Sequence, residues 1–222
     1  MCNVTKFVIG YKTKQTQIQR FLPRMFHSCT GVLRFTIEII DNAPWLEGQS
    51  CIRIELNTPV SHDDIRGWYN FATWENSWVV PSSKRDTPVI TASHCDISMM
   101  KSLEGYMFTL WSDKGSVPFL NIDVRHTGHM AGPPNEDDNE GTFYFSNEDG
   151  NETCLFKPAE LIEISRERCE AAFNWDFSQL PNMPRKFHNL PMVCEMKCDR
   201  ILGAYKVVFE RDFENDDLIK II

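Results

Sequence analysis

No stretch of the 222-residue chain approaches the roughly 18 consecutive apolar residues that a membrane-spanning helix needs. Its opening, MCNVTKFVIG, lacks the basic start, long apolar run and small-residue cleavage site of a secretory signal. The expectation is an intracellular chain, cytoplasmic or nuclear, with no membrane span. Its eight cysteines are then reduced thiols rather than four bridges, and the Asn-x-Thr sequons at Asn3 and Asn151 stay unused. Positive charge is also short: 23 Lys and Arg stand against 31 Asp and Glu, net -8, which excludes a surface that attracts nucleic acid everywhere. There is no glycine-rich phosphate loop, no G-x-S-x-G, no H-E-x-x-H and no H-x-E followed by P-C-x-x-C. His94, Cys95 and Asp96 are adjacent, but neighbours in a strand face opposite ways, so adjacency works against a catalytic cluster. No catalytic residue, metal or cofactor is expected.

What is present is a period of two. In VLRFTIEII, Leu33, Phe35, Ile37 and Ile39 face one way and Arg34, Thr36 and Glu38 the other, as in a strand with one wet face. CIRIEL repeats the pattern, and the DNAPWLEGQS between them is turn chemistry, so the two pair as a hairpin. GYMFTLW and VPFLNIDVR flank SDKGS, and TFYFS and TCLF flank NEDGNE with its Asp149-Gly150 turn, giving two more hairpins. With KFVIGY, PVITA and YKVVFERDF, about nine strands emerge, joined by connections too short for parallel crossovers. The sheet should be largely antiparallel.

Helices are fewer. PAELIEISRERCEAAFNW predicts a helix over 158–175, with Leu161, Ile162, Ile164, Cys169, Ala172 and Phe173 on one side of a 3.6-residue wheel. HDDIRGWYNFATWENSWVV predicts another over 62–78, capped by Ser61, with Asp63 and Asp64 at its positive end. On that helix Trp68, Phe71, Trp74 and Trp78 form one face, read as core rather than as a stacking platform because the neighbouring charges are mostly acidic. The fold class is therefore α+β, mainly antiparallel β, a sandwich or a curved barrel-like sheet with two or three covering helices. Residues 1–175 form the main domain. The Pro-rich stretch within 176–222 acts as a linker, after which a C-terminal strand packs back.

Charge is segregated along the chain. Lys6, Lys12, Lys14, Arg20 and Arg24 precede residue 31 without one acid, whereas residues 131–170 carry eleven acids and three bases. KTKQTQIQRFLPRMFH is basic and amphipathic, though Pro23 interrupts it. Lys12, Lys14, Arg20, Phe21 and Arg24 are accordingly the candidate partner-binding residues. His126-x-x-His129 with Cys194-x-x-x-Cys198 could supply four zinc ligands, yet neither has the paired C-x-x-C form, so no metal is assigned. EDDNEG opens like a calcium loop, but the twelfth position from Glu136 is Asn147 rather than Glu.

These observations lead to the expectation of a non-enzymatic interaction or assembly subunit, an adaptor within a macromolecular complex, whose partner is another protein. The alternative is a single-stranded nucleic-acid binder using the basic patch and aromatics. An enzyme without a recognisable motif comes third. Partner identity and oligomeric state are not readable from the sequence.

Overall fold

The computed structural model describes residues 2–42, 46–77, 93–112, 117–131, 141–146, 152–157, 162–178, 187, 190–211 and 217–221. In chain order the elements are β1 (Cys2–Lys12), α1 (Gln15–Phe21), β2 (His27–Ser28), β3 (Val32–Asp41), β4 (Cys51–His62), β5 (Ile65–Glu75), β6 (Ser93–His94), β7 (Asp96–Lys101), β8 (Gly105–Trp111) and β9 (Pro118–Met130). They continue with β10 (Thr142–Ser146), β11 (Glu152–Lys157), β12 (Ile162–Trp175), α2 (Leu190–Glu195), β13 (Arg200–Arg211) and β14 (Asp217–Ile221). The fourteen strands make one sheet, ordered β14-β11-β10-β5-β4-β3-β1-β13-β12-β9-β8-β7, with β2 beside β4 and β6 beside β5. Pairing is antiparallel except that β10 and β6 each meet β5 in parallel. The protein is thus mostly β, with a mixed sheet that is curved but not closed.

The sheet coils because its two faces bury different things. On one face, Phe7 of β1 meets Tyr106 and Phe108 of β8 at ring separations of 4.8 and 5.6 Å, although three strands lie between them in the sheet. Tyr11 and Phe35 both pack on Phe173 of β12, at 4.9 and 5.1 Å, so this half wraps around a continuous apolar core. The other flank curls the opposite way: Arg211 of β13 lies over the Phe156 ring of β11 at 5.6 Å, across the far face of β5, β4, β3 and β1. Gly67 permits this second curl, since a Cβ there would sit 2.6 Å from the Phe143 ring where β10 docks on β5.

Two expected helices are strands. Asp63 and Asp64, read as a helix start, form the tight turn of the β4–β5 hairpin, in which His62 pairs with Ile65 and Asp63 adopts φ 51°. A register shift opposite Leu56 and Asn57 puts an extra residue into β5. Phe71 and Ala72 therefore both face the apolar core, and the strand mimics a helical three-residue spacing. Trp68, Phe71 and Trp74 are buried, but Trp68 and Trp74 lie on opposite faces of the sheet rather than on one helix stripe; Trp78 is outside the described residues. Likewise, residues 162–175 form β12, held between β13 and β9. Bulges near Ser165 and Arg168 break its alternation into something resembling a 3.6 repeat. Tertiary pairing on both edges overrides the local helical reading.

The described helices are α1, which ends at Phe21 with Leu22 as its cap just before Pro23, and α2. None of the described helices is long and apolar enough to cross a membrane. β13, within residues 176–222, lies between β1 and β12. Strand PVITA, the Asp149-Gly150 turn and Asn151 lie outside the described residues.

Candidate active site

The alternate residues of β3 and β4 that were expected to face water, together with those beside them on β1 and β5, are enclosed by the second curl and form ordered polar rows. Lys6 lies opposite Glu38, Glu38 opposite Arg53, and Arg53 opposite Glu75, so charges alternate in sign across four strands. The next row is Val8, Thr36, Glu55 and Thr73, and the third is Gly10, Arg34, Asn57 and Asn70. Arg34, Glu38, Arg53, Glu55, Glu75 and Arg211 are all buried, none more than 9% exposed.

Contacts knit the rows. Arg53 Nε donates to Glu75 Oε2 at 2.8 Å, and the Ser77 hydroxyl donates to the other oxygen of that carboxylate. Lys6 Nζ stands 3.7 Å from Glu38 Oε1, with Arg211 Nη1 4.0 Å from Glu38 Oε2. Asn70 Nδ2 donates to Asn57 Oδ1 at 2.8 Å, and Asn57 Nδ2 donates to Glu55 Oε2 at 3.2 Å. The Arg34 guanidinium carbon lies 3.4 Å from the Trp68 ring centroid. Thr36 Oγ1, in the middle of this surface and buried, has no hydrogen-bond partner among the described residues.

The electrostatics follow from this crowding. Burial pushes the Lys6 amine below its ordinary value, and the Arg34 and Arg211 cations lower it further; Glu38 and Glu55 offset part of that. Its side chain as a whole keeps 24% of its surface accessible. Burial raises Glu38, but Lys6, Arg211 and Arg53 outweigh it and hold the carboxyl below the usual range. Arg53 is held protonated: burial disfavours its charge, and Glu75, Glu38 and Glu55 more than restore it.

A carboxyl with a depressed folded-state pKa stabilises the fold fully above its unfolded-state value, and that contribution is lost as pH falls through the folded value. Replacing Glu38 by Gln should therefore flatten the acid-side loss of stability, read as urea midpoints at about pH 7 and about pH 4. An acid slope identical to that of the wild type would count against this account of Glu38.

The candidate residues from the sequence lie elsewhere. Lys12, Lys14 and Arg24 are exposed, Arg20 pairs with Glu195 at 3.0 Å, and Phe21 packs against the apolar core. His126 and His129 line an open cleft of about 620 Å³ beside Arg168 and Cys169. There His126 Nδ1 and Lys206 Nζ share the Glu167 carboxylate, at 3.0 and 3.1 Å. Cys194 is on α2 and Cys198 follows it. No group of three or more His, Cys, Asp or Glu among the described residues could hold a metal ion. Cys2, Cys29, Cys51, Cys95, Cys169, Cys194 and Cys198 are free thiols, and burial pushes Cys51 up to about 12 and Cys169 up to about 11, well away from reactive thiolates.

Sequence reasoning missed the interior rows because it assigned Arg34, Thr36 and Glu38 to solvent. One signal was available. In the hairpin register Glu38 falls opposite Arg53, which is complementary charge on the supposedly wet face.

No protein-family model matches the chain, and no curated protein matches it. Solved structures do. Acetoacetate decarboxylase from Legionella pneumophila superposes with a TM-score of 0.73 at 12% identity, covering 98% of this chain and 82% of that one. The enduracididine biosynthesis enzyme MppR, complexed with the condensation product of pyruvate and imidazole 4-carboxaldehyde, gives 0.71 at 7% identity, covering 98% and 87%. An acetoacetate decarboxylase-like enzyme from Sphingomonas wittichii RW1 gives 0.64 at 10% identity, covering 99% and 89%. The chain has the fold of these enzymes over nearly its whole length. That overturns the expectation of a non-enzymatic assembly subunit or adaptor: the fold is one that these enzymes share.

Proposed function

We propose that the chain is an enzyme that activates the ketone of a small oxo acid through the amine of Lys6, making or breaking a carbon–carbon bond at the carbon next to that ketone. One observation carries this: a lysine whose side chain is partly accessible, and whose amine is depressed by burial and by neighbouring cations, lies on an enclosed polar face beside Glu38. A lysine becomes a nucleophile toward carbonyls under those conditions, because more of it is neutral at a given pH. The fold supports the reading, since solved structures with it include an acetoacetate decarboxylase and an enzyme complexed with pyruvate.

In the reaction the neutral amine attacks the carbonyl carbon, a C–N bond forms, and, with one proton taken up from solvent, the carbonyl oxygen leaves as water, giving a protonated imine. For a 3-oxo acid the electron pair of the bond to the carboxylate then flows toward the imine nitrogen and carbon dioxide departs. Protonation of the resulting enamine and return of water release the ketone and the amine. Glu38, kept anionic by its three cationic neighbours, stands beside Nζ and stabilises the positive charge of the imine.

Borohydride added during incubation with pyruvate or acetoacetate reduces such an imine to a stable amine. The expected result is an adduct mapped to the peptide bearing Lys6 and lost in Lys6→Met. Its rate of formation should rise with pH and level off below the ordinary lysine value of 10.5. Adduct on another lysine, such as Lys84 or Lys114, would overturn the assignment of Lys6 while keeping the enzyme class. No adduct with either acid would overturn the reading as a whole.

A further inference from the structure

We propose that the Thr36 hydroxyl receives the ketone oxygen of the substrate and hydrogen-bonds to it while the amine of Lys6 attacks the carbonyl carbon. The proposal rests on the reading of Lys6 above and adds the group that handles the other end of the carbonyl.

Strand register fixes what surrounds Lys6 on its face of the sheet. Its neighbours along β1 are Val4 and Val8. On β13, Val207 is directly opposite, with Phe209 and Tyr205 on the diagonals. On β3, Glu38 is directly opposite, with Ile40 and Thr36 on the diagonals. The valines, Ile40 and Phe209 are buried and offer a reacting oxygen no hydrogen bond. The other three carry polar atoms. Glu38 is an acceptor, and its two oxygens stand 3.7 Å from Lys6 and 4.0 Å from Arg211. Tyr205 is engaged by the Arg166 guanidinium, through its ring at 4.8 Å from the centroid and through a side-chain hydrogen bond.

Thr36 differs from both. It is 3% exposed, and its Oγ1 has no hydrogen-bond partner among the described residues, although buried hydroxyls are normally paired. Glu55, opposite it on β4, takes a hydrogen bond from Asn57 Nδ2 at 3.2 Å and none from Thr36. Diagonal neighbours across an antiparallel pair stand about 7 to 8 Å apart, a span that a long side chain bridges. A carbonyl attacked by the Lys6 amine therefore comes within range of this hydroxyl.

As the C–N bond forms, the carbonyl electron pair moves onto oxygen. A donor already in place beside that oxygen is worth more in the transition state than in the ground state. Thr36 keeps its own proton throughout. One proton passes from the nitrogen to the oxygen and a second comes from solvent, so the oxygen leaves as water and the imine remains protonated. Because every ketone has this oxygen, the contribution of Thr36 does not depend on the acid group.

The test is reductive trapping on the full chain, with reductant in excess so that imine formation sets the rate, using pyruvate and the neutral ketone acetone. Thr36→Val keeps the shape of the side chain and removes only the hydroxyl. Its maximal trapping rate should fall about 100-fold with both ketones. The pyruvate concentration giving half that rate should change less than about threefold. Thr36→Ser, which restores a hydroxyl, should return the rate to within about fivefold of the wild type. Since the hydroxyl has no partner to lose, the urea midpoint of Thr36→Val should be no lower than that of the wild type. An unchanged rate in Thr36→Val, a lowered midpoint or failure to fold, or no recovery in Thr36→Ser overturns the proposal. So does a change confined to pyruvate half-saturation, which would put the acid group at Thr36 in place of the ketone oxygen. All of these outcomes leave the wild-type adduct at Lys6 intact. A wild-type chain that traps neither ketone, or traps them on another lysine, refutes the reading of Lys6 and this proposal with it.

Discussion

Replacing Trp74 by alanine is expected to lower the unfolding free energy by about 3 to 5 kcal/mol, the range for truncating a large buried aromatic. Trp74 is 2% exposed. Its indole meets Phe119 of β9 at 6.0 Å and Trp175 of β12 at 6.1 Å. Those strands lie far from β5 in the sheet order, so Trp74 does more than fill volume: it ties one flank of the first curl to the other. The cavity it leaves is bounded by strands fixed by their own ladders, which limits collapse and keeps the loss near the upper part of the range. Urea unfolding followed by circular dichroism gives the value. A loss below about 1 kcal/mol would mean that the curl does not depend on this contact.

The strand-rich character was legible because it rests on a local rule. Leu33, Phe35, Ile37 and Ile39 alternate with polar residues whatever surrounds them, and β3 pairs with β4 from Arg34↔Asn57 to Ile40↔Cys51. Where a bulge interrupts the rule, the reading failed. Phe71 and Ala72 on one face of β5, and the bulges of β12, converted period two into a spacing that a helix would also show. No local cue separates those cases, because the decision is made by the strands on either side.

The site was illegible for a different reason. Alternation says that a strand has two different faces; it does not say which of them meets water. Arg34, Glu38, Arg53 and Glu55 read as a solvated face because one sheet with one core leaves its polar side outside. Here the sheet curls twice, in opposite senses, and the second curl brings Phe156 over Arg211 and encloses the polar rows. That enclosure depends on contacts far apart in sequence. Known catalytic motifs carry no signal here for the same reason, since Lys6 and Glu38 come from two strands and match no contiguous signature.

Arg53→Met is the second large effect, and it separates structural from chemical roles within the polar rows. Arg53 is 9% exposed, donates to Glu75 at 2.8 Å and is flanked by Glu38 and Glu55. Removing one partner of a buried pair leaves the other charged and desolvated, and the expected loss is about 3 to 5 kcal/mol. Replacing both members with apolar residues of similar size is often neutral, so Arg53→Met combined with Glu75→Leu should recover most of the stability. Imine trapping should not recover with it. Arg53 is one of three cations that keep Glu38 anionic, so its removal lets the Glu38 carboxyl rise toward the usual range and weakens the charge that supports a protonated imine. Urea unfolding and pyruvate trapping on the same double variant decide the matter. Stability restored while trapping stays depressed places the ladder in the chemistry. Recovery of both together would reduce Arg53 and Glu75 to scaffold, and a single Arg53→Met variant as stable as the wild type would show that the pair is not buried as described.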